Sequence, residues 1–542
     1  MSPKMSTGRS GWGDPPDATA LELVGAAAEA SPNAPFLDFE GEVATYGAFA
    51  TLVSSYATGI ASSVRSGDRV VAMLDNSLEA VALWMATNVA GAIYIPLNTS
   101  LKGAWLDKQV ELSEPSLIVC EDDYAGHFAA YIGQSDSRRF VTRLGETFEA
   151  DGTVVTPEAI AGLRGSAPPT SLFAAPPVDI SAVTFTSGTT AASKGCMLSP
   201  QYICNMARHI LTFTERQPDE VCWTSLPLFH LNAMSSVVAT AMLRGTLSVS
   251  KRFSLSGFWP AIERSNAKVV QMLGSMPWLV ANASDEEAAR RCYGQVRVVV
   301  GAPINAEVGA RLRERFGVRQ IASQVYGSTE ASCLTYFPCS ETAPNGSSGR
   351  RHDDFDVRIF DEADREVPSG EVGEIVFRPL RPNVMFNGYW RAPEEAVKRL
   401  GNLWWHTGDR GYFDENDFLF FADRDKDTIR RRGEMVATLE VEDCLSAHPD
   451  VLEASVHGVT SEFGDDEVKA TIVTRLGHNV EAEALVRFAA EQLPYFAVPR
   501  YIEFRDHLPH NELGRVLKRQ LRDEGVTLAT WDREAAGVGI DR

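Results

Sequence analysis

The chain has 542 residues, of which 44% are hydrophobic and 23% are charged, a balance typical of a globular protein with several folding units. Its formal net charge of −21 argues against a surface that coats DNA or RNA, because such a surface needs a broad basic field. Mean hydropathy is −0.13 and no apolar run reaches about 18 residues, so we expect no membrane span. Small anionic ligands remain compatible with this charge, since a few local cations suffice to bind them.

The cysteines and the N-terminus indicate the compartment. The eight cysteines form no C-x-x-C pair and no metal-site spacing, and several lie in apolar runs, which predicts reduced core thiols. Residues 1–18 are rich in Ser, Gly and Pro and lack the apolar segment of a secretory signal. We therefore expect a flexible tail and a cytoplasmic protein.

Short apolar runs alternate with helical patterns from residue 35 to about residue 325. The run at 69–74 precedes a helical pattern at 79–89, and similar runs follow at 92–97, 183–185, 269–273, 296–300 and 321–326. This alternation predicts an α/β fold with largely parallel sheets. Such sheets bind ligands at the carboxyl ends of their strands, so the loops after these runs are where we expect the site.

The pattern changes after residue 350. Short strands are predicted at 356–359 and 374–378 between Gly and Pro turns, and a turn at 414–417 leads into a strand at 418–422. The highly charged stretch 423–432 follows and is interpreted as a hinge.

The remaining chain is long enough for a separate small α+β domain. Its predicted elements are helices at 438–446 and 482–493 and strands at 453–459 and 468–474. The predicted organisation is a tail at 1–18, a large α/β body of several subdomains with a small barrel-like part at 19–425, and a mobile α+β lid at 426–542.

The strongest local signal is a strand that enters a loop dense in hydroxyls and glycine. The loop contains Thr186, Ser187, Gly188, Thr189, Thr190 and Lys194. Backbone N–H groups, hydroxyls and an ammonium can all reach phosphate oxygens, although the spacing differs from the G-x-x-x-x-G-K-[ST] loop. Taken alone, such a run is more often a polar surface turn.

This loop resembles the phosphate-binding loop of the adenylate-forming superfamily, which includes acyl-CoA synthetases, peptide-synthetase adenylation domains and luciferases. Further segments resemble family motifs in the same order: Gly301-Ala302-Pro303, Tyr326-Gly327-Ser328-Thr329-Glu330, Trp405-His406-Thr407-Gly408-Asp409, Arg424-Asp425-Lys426 and Arg432-Gly433-Glu434. The resemblance covers about residues 21–522. It implies ATP and Mg²⁺ as ligands, contact of Arg424 and the 301–303 turn with the nucleotide, and rotation of the small domain about Lys426.

The chemistry of individual residues agrees with this resemblance. Glu330 supplies a hard oxygen for Mg²⁺, and Thr329 a hydroxyl for a phosphate. Tyr326 offers an aromatic face to a base and Gln324 an amide for its edge, while Asp409 can accept both ribose hydroxyls. Singly, such residues are more often helix caps, core residues or turn residues, so the interpretation depends on the whole array.

The segment 226–233 indicates the branch of the superfamily. It reads L-P-L-F-H-L-N-A and resembles acyl-CoA ligases, particularly the crotonobetaine/carnitine–CoA ligase-like group. No aspartate near Phe229 and His230 is present to hold an amino-acid ammonium, which disfavours an α-amino acid substrate. The resemblance places Phe229, His230, Asn232 and Trp278 in segments that flank the acyl pocket, which implies a hydrophobic acid. Phe229 and Trp278 could equally be ordinary core residues. A packed aromatic-cluster histidine is the alternative for His230.

The resemblance implies that a carboxylate attacks the α-phosphorus of ATP to give acyl-AMP and pyrophosphate, and that a thiol then attacks acyl-AMP. Arg430, Arg431 and Arg432, beside Gly433, are predicted to meet the phosphates of CoA. A run of arginines is also compatible with a merely solvated face.

Arg515 departs from the family pattern, because the matching position usually holds the lysine that bridges the carboxylate and the α-phosphate. Arginine keeps the charge but is larger and planar, and Lys518 is a candidate substitute. Arg515, Glu330, Thr186 and His230 form the predicted catalytic set.

The predicted function is an ATP- and Mg²⁺-dependent carboxylic acid:CoA ligase. The alternatives are an enzyme that catalyses only one half-reaction, with a partner enzyme for the other, and a non-catalytic nucleotide-binding protein. The sequence leaves open the acid, the acceptor (CoA or a carrier protein) and the oligomeric state, a homodimer included.

Overall fold

A computed structural model describes residues 18–132, 139–150, 153–165, 179–186, 193–284, 287–302, 304–424, 428–461, 465–475, 477–478, 480–510 and 516–540. The predictions for Ser187, Gly188, Thr189, Thr190, Pro303, Lys426 and Arg515 lie outside the described residues. The chain divides into two compact units. The first comprises Met1–Thr99, Leu112–Thr184 and Gly195–Ala422, and the second comprises Ser100–Glu111, Phe185–Lys194 and Asp423–Arg542. The predicted boundary between 425 and 426 stays a prediction.

The helices are α1 (Ala20–Ala30), α2 (Tyr46–Ala61), α3 (Leu78–Val89), α4 (Gly103–Ser113), α5 (Pro200–Thr214), α6 (Leu231–Leu243), α7 (Leu255–Ser265), α8 (Met276–Asn282), α9 (Glu287–Arg291), α10 (Ala306–Phe316), α11 (Pro393–Val397), α12 (Thr438–Ser446), α13 (Ala482–Gln492) and α14 (Lys518–Glu524). Short 3₁₀ segments lie at Asp122–Tyr131 and Ile160–Leu163.

The strands are β1 (Pro35–Phe39), β2 (Glu42–Thr45), β3 (Arg69–Met73), β4 (Ile93–Pro96), β5 (Leu117–Cys120), β6 (Arg139–Thr142), β7 (Phe148–Ala150), β8 (Thr153–Val155), β9 (Glu158–Ala159), β10 (Ala182–Thr186), β11 (Lys194–Leu198), β12 (Cys222–Thr224), β13 (Leu247–Val249), β14 (Val269–Gln271), β15 (Val298–Val300), β16 (Gln320–Ala322), β17 (Val325–Ser328), β18 (Ser332–Tyr336), β19 (Ser347–Arg351), β20 (Phe355–Phe360), β21 (Gly373–Pro379), β22 (Leu400–Gly401), β23 (Trp404–Phe413), β24 (Phe418–Arg424), β25 (Thr428–Arg431), β26 (Glu434–Ala437), β27 (Val451–Thr460), β28 (Asp466–Thr474), β29 (Tyr501–Phe504) and β30 (Trp531–Asp532).

Side-chain caps begin many of these helices. Thr19 forms a capping box with Glu22 at α1, and Ser77 accepts a hydrogen bond from Ala80 N at α3. Ser199 caps α5, where a proline occupies the first turn. The caps satisfy backbone N–H groups that have no partner within the helix, so they fix where each helix starts relative to the preceding strand.

Two seven-stranded sheets form the α/β framework and confirm the predicted fold class. Their strand orders are β16-β15-β14-β12-β13-β1-β2 and β11-β10-β4-β3-β5-β6-β9. Neighbours β12, β14, β15 and β16 are all parallel, with Thr224, Gln271, Val300 and Ala322 in line at their carboxyl ends. The central strands are buried on both faces, which explains their continuous apolar runs.

An eight-stranded sheet of order β17-β18-β19-β24-β23-β21-β20, with β22 beside β23, follows the parallel framework. Pairs such as β17 with β18 and β20 with β21 are antiparallel. The run at 321–326, predicted as one strand, is two strands, because the chain leaves the parallel sheet after Ala322 and enters this antiparallel sheet at Val325. The motif around Tyr326 therefore lies where the chain passes from one sheet to the other.

The second unit has its own sheet, β27-β28-β29-β30, and a β25-β26 hairpin. The helix predicted at 438–446 is α12, and the strands predicted at 453–459 and 468–474 lie within β27 and β28. Val456, Ile472 and Leu485 are completely buried in its core. A hydrophobic core of this kind is what a separately folded unit requires.

Helix length and the state of the cysteines can be assessed for the described residues. Across the described residues, we find no helix that combines the length and the apolar character needed to span a bilayer. All eight cysteines lie in described segments, and each is a free thiol. Seven are buried, and Cys444 is half-buried.

Candidate active site

Most of the predicted site residues of the first unit lie in loops at the carboxyl edge of the sheet that contains β12, β14, β15 and β16. The loop after β12 carries Phe229 and His230, and the chain after β14 leads to Trp278. Gly301 and Ala302 follow β15, and the Tyr326 motif follows β16. Because the four strands are parallel neighbours, these loops start at the same edge, as predicted from the rule for α/β sheets.

The loop that precedes Phe229 is held by a residue that the sequence analysis missed. Asn76 is 8% exposed, and its Nδ2 donates to Leu226 O at 3.0 Å and to Ser250 O at 3.2 Å. Its Oδ1 accepts from Leu228 N at 2.8 Å. A polar Asp-Asn-Ser triplet one residue after the buried strand β3 was the available signal for this role.

The predicted acyl-pocket residues occupy the start of α6 and the segment after β14. The rings of Phe229 and His230 meet edge to face with centroids 4.7 Å apart, and His230 precedes the first residue of α6. Asn232 O accepts from Ser236, whose Oγ also lies 2.7 Å from Gln271 Oε1 at the end of β14. Trp278 is partly buried against the apolar cluster around β14 and β15.

Tyr326 and Asp409 are brought together although 83 residues separate them. The Tyr326 hydroxyl donates to Asp409 Oδ2 at 2.8 Å, and its ring centroid lies 6.3 Å from that of Phe421. Between Tyr326 and Ser328 the backbone has no room for a side chain, because a Cβ on Gly327 would lie 1.6 Å from Ser332 O. Glycine is therefore required for the hairpin that presents Tyr326.

Glu374, on the neighbouring strand β21, fixes the segment that carries Asp409. Its Oε1 accepts from Gly408 N at 2.8 Å and its Oε2 lies 2.9 Å from His406 Nδ1. Thr407 Oγ1 donates to Ile375 O at 2.6 Å and accepts from Asp409 N at 3.0 Å. These bonds limit the positions that the Asp409 carboxylate can take, and the sequence analysis did not identify Glu374.

Glu330 lies at the turn between β17 and β18, with Thr329 before it. Its Oε1 accepts from the Tyr389 hydroxyl at 2.8 Å, and its backbone O accepts from Phe386 N at 2.9 Å. Burial raises the pKa of Tyr389, and the negative charge of Glu330 raises it further, so the phenol stays a donor. Tyr389 engages one carboxylate oxygen, and a carboxylate has a second oxygen for a hard cation.

Gly301 and Gln324 lie in the loops that were predicted to contact the nucleotide. A Cβ on Gly301 would lie 2.4 Å from Met272 O, so glycine permits the close approach of neighbouring loops. Gln324 O accepts from Phe337 N at 2.9 Å, and this bond fixes the backbone of Gln324. The residue is half-buried.

In the second unit, the described residues at the ends of the predicted phosphate loop contact each other. Ser193 Oγ donates to Thr186 O at 3.1 Å, and Thr186 Oγ1 donates to Lys194 O at 3.4 Å. Gln109 Nε2 donates to Ser193 Oγ at 3.1 Å. Lys194 is 7% exposed. Arg424 belongs to β24, and its side chain lies outside the described atoms.

The three arginines beside Gly433 occupy different environments. Arg431 is 1% exposed, donates to Phe496 O and Val498 O at 3.0 Å each, and pairs with Glu467 at 2.6 Å. Arg432 has a φ of 54° and pairs with Glu534 at 3.3 Å, whereas Arg430 is half-buried on β25. Arg431 therefore stabilises the core of the unit, and a role of the three arginines toward CoA stays a prediction.

Lys518, the candidate substitute for the usual lysine, is the first residue of α14. Its Nζ lies 2.9 Å from both Thr438 Oγ1 and Glu442 Oε1. These contacts tie Lys518 to helix α12 of the same unit.

The parallel sheets, with their loops at the carboxyl ends of the strands, define an α/β protein of the class that binds ligands at this edge. Residues 24–390 match the AMP-binding enzyme family, and residues 440–515 match the AMP-binding enzyme C-terminal domain. The chain therefore belongs to the AMP-binding enzyme family, which confirms the resemblance found in its motifs.

Individual relatives share most of the length. The crotonobetaine/carnitine–CoA ligase of Citrobacter koseri is 30% identical over 480 residues, which are 85% of this chain and 90% of that protein. The solved structure of the amide bond synthetase McbA from Marinactinospora thermotolerans matches with a TM-score of 0.80 and 25% identity, over 93% of this chain and 99% of that one. ATP-bound MatB from Rhodopseudomonas palustris matches with a TM-score of 0.64 and 25% identity, over 93% and 99%.

Proposed function

We propose that the protein is an ATP-dependent carboxylic acid:CoA ligase that works through an acyl-adenylate. The observation that carries the proposal is the Tyr326–Asp409 pair beside the Glu330 turn, because these groups have the chemistry of a base-, ribose- and metal-binding cluster. The 30% identity to a crotonobetaine/carnitine–CoA ligase over 85% of the chain supports the acid:CoA assignment. Family membership also makes the non-catalytic alternative the weaker one.

In the first half-reaction, the acid carboxylate attacks the α-phosphorus of ATP and pyrophosphate leaves. The carboxylate of Asp409, oriented by Glu374 and Thr407, accepts hydrogen bonds from the ribose. Glu330, held by Tyr389, is the proposed ligand for Mg²⁺, which neutralises phosphate charge when bound. Thr186 and Lys194 are proposed to contact the phosphates.

The proposed substrate is a hydrophobic acid without an α-amino group. Support comes from the aromatic pair Phe229–His230 and from the absence of any acidic side chain between residues 225 and 233. The ammonium of an α-amino acid bound at this loop would lose its hydration without gaining a carboxylate partner from residues 225–233. Such desolvation of an unpaired charge is unfavourable.

A second candidate is an enzyme that performs one half-reaction only. Arg515 motivates it, together with the contacts of Lys518, whose ammonium is held by Thr438 and Glu442. The similarity to an amide bond synthetase adds a second question, namely whether the acceptor is a thiol or an amine.

We also propose that residues 426–542 rotate about Lys426 between the half-reactions.

The test is a panel of carboxylic acids assayed for pyrophosphate release with and without CoA, and for thioester formation from synthetic acyl-AMP. The ligase proposal expects both activities with the same acid. Pyrophosphate alone, or thioester alone, supports the split enzyme, and no turnover with any acid despite ATP binding refutes both.

Asp409→Asn should lower the affinity for ATP about tenfold or more, because a neutral amide is a weaker acceptor for two hydroxyls. The matched control is Asp219→Asn, an exposed aspartate in a turn. Equal ATP affinities of the two variants would contradict the assignment of the nucleotide site.

A further inference from the structure

A buried group of charged and titratable side chains lies next to the turn that carries Glu330, and the proposed chemistry does not use it. Arg208 and His209 of α5 meet His352 and Asp354, and all four are at most 2% exposed. His209, His352 and Asp354 offer atoms at distances that suit a metal ion. The cluster therefore needs an explanation, because burying charged groups is costly unless they are paired.

A guanidinium already occupies the position of a cation in this cluster. Arg208 donates to Asp354 Oδ2, and its Nη2 lies 3.1 Å from His209 Nε2. Arg381 Nε lies 3.4 Å from the other oxygen of Asp354. Adding a divalent cation beside two guanidinium groups would be strongly repulsive, so a metal site is not favoured here.

The cluster reaches the backbone beside Glu330 through Ser332. His209 Nδ1 lies 2.8 Å from Ser332 Oγ, and His209 Nε2 lies 2.8 Å from Asp354 Oδ2. Burial lowers the pKa of His209, which favours the neutral ring. A neutral ring this close to a carboxylate carries its proton on Nε2, so Nδ1 is an acceptor for the Ser332 hydroxyl proton, which the Met206 sulfur can also accept.

This arrangement of serine, histidine and aspartate is not a nucleophilic triad, because the three side chains are sealed from substrate. Ser332 is 2% exposed and has a φ of 55°, a left-handed conformation that is uncommon for residues other than glycine. A buried, left-handed serine needs fixed partners to hold it in place.

One face of α5 supplies these partners. Tyr202, Met206 and His209 are spaced i, i+4 and i+7 and therefore project from the same side of the helix. The Tyr202 hydroxyl donates to Thr329 O at 2.9 Å, and the Met206 sulfur lies 2.8 Å from Ser332 Oγ. Contacts from α5 thus flank Glu330 on both sides along the chain.

We propose that His209 is a positioning residue, which fixes the turn at Ser332 and thereby holds Glu330 where it binds Mg²⁺. The proposal rests on the proposed role of Glu330 in the ligase reaction. Asp354 orients the His209 ring, and Arg208 balances the charge of Asp354. Loss of the bond to Ser332 should loosen the Glu330 turn without touching the acid or the nucleotide base.

The test compares His209→Phe, which keeps an aromatic ring, with His209→Gln, whose amide can donate to Asp354 and accept from Ser332. Pyrophosphate release is measured against Mg²⁺ concentration at saturating ATP and acid. We expect His209→Phe to raise the half-saturating Mg²⁺ concentration about tenfold, the factor that one net hydrogen bond is worth. His209→Gln should restore it to within about threefold of wild type, and the KM for the acid should not change.

The proposal is overturned if folded His209→Phe has the wild-type Mg²⁺ dependence, or if only the melting temperature falls. Should His209→Phe fail to fold, Ser332→Ala removes the same bond and leaves His209 with Asp354. Glu330→Gln distinguishes a failure of the proposed metal ligand from a failure of the positioning role of His209. An unchanged Mg²⁺ dependence in Glu330→Gln refutes the proposed metal ligand, whereas a changed one with no effect of His209→Phe or Ser332→Ala refutes the positioning role alone.

Discussion

Replacing Asn76 by alanine tests whether a single buried carboxamide sets the position of the loop that is proposed to line the acyl pocket. The side chain makes three hydrogen bonds of 2.8, 3.0 and 3.2 Å to Leu228 N, Leu226 O and Ser250 O. Truncation leaves three backbone groups without these partners at a site that is 8% exposed. At about 1 kcal/mol for each net hydrogen bond, the free energy of unfolding should fall by about 2–4 kcal/mol.

The kinetic effect of Asn76→Ala should be specific to the acid. The freed loop leads directly into Phe229 and His230, so the KM for the acid should rise about tenfold, which corresponds to about 1.4 kcal/mol. The KM for ATP should stay within about twofold, because the residues proposed to bind the nucleotide follow other strands. Pyrophosphate release at varied acid and varied ATP measures both constants, and thermal unfolding measures the stability.

Asn88→Ala is the matched control. Asn88 is also a buried asparagine of the first unit, 5% exposed, and its Nδ2 donates to Ala92 O at 3.2 Å and to Ser181 O at 2.8 Å. It should lose similar stability with an unchanged KM for the acid. Identical kinetic profiles of the two variants would show that general destabilisation, and not loop position, explains the effect of Asn76→Ala.

Three further predictions concern the glycine of the hairpin at Tyr326, the arginine at the position where relatives usually have lysine, and stability at acidic pH. Gly327→Ala places a Cβ 1.6 Å from a carbonyl oxygen across the hairpin, so adenylation should fall at least about 100-fold in a pyrophosphate assay. Arg515→Lys should raise the rate of pyrophosphate release about 100-fold if the arginine impairs adenylation. Burial alone would raise the pKa of Glu503, but hydrogen bonds from Lys469 and Thr530 lower it to about 2. The stability that this ionised carboxylate contributes should be complete above about pH 4.5 and lost as the pH falls toward 2, so the melting-temperature difference between wild type and Glu503→Gln should shrink over that range.

Each of the three has a control or a contradicting outcome. Gly126→Ala is the control for the hairpin glycine, because a Cβ there meets nothing within 4 Å, and equal losses in both variants would contradict the steric argument. Unchanged pyrophosphate release in Arg515→Lys would mean that arginine serves as well as lysine. A melting-temperature difference that is constant from pH 6 to pH 2.5 would contradict the low pKa of Glu503.

Much of the fold follows from local patterns in the sequence. Apolar runs of three to six residues could be assigned to buried parallel strands, and the helix at 438–446 was predicted with the bounds that it has. The run at 321–326 was predicted as one strand but forms parts of two, because its hydrophobicity is continuous while the chain passes from one sheet to another within it. Periodicity reports whether a segment is buried, but it does not report which sheet buries it.

The family and the residue types of the predicted site could be inferred from the sequence, because ordered motifs of glycine, hydroxyl and carboxylate residues need no coordinates to be matched. Which side chains contact one another could be seen only in the folded chain. The pairing of Tyr326 with Asp409, the hydrogen bonds of Asn76 to the 226–228 loop and Ser250, and the contact of His209 with Ser332 join residues 83 to 174 positions apart. Such contacts depend on sheet order and strand register, which are set by packing of the whole unit, so no local pattern in the chain identifies the two partners.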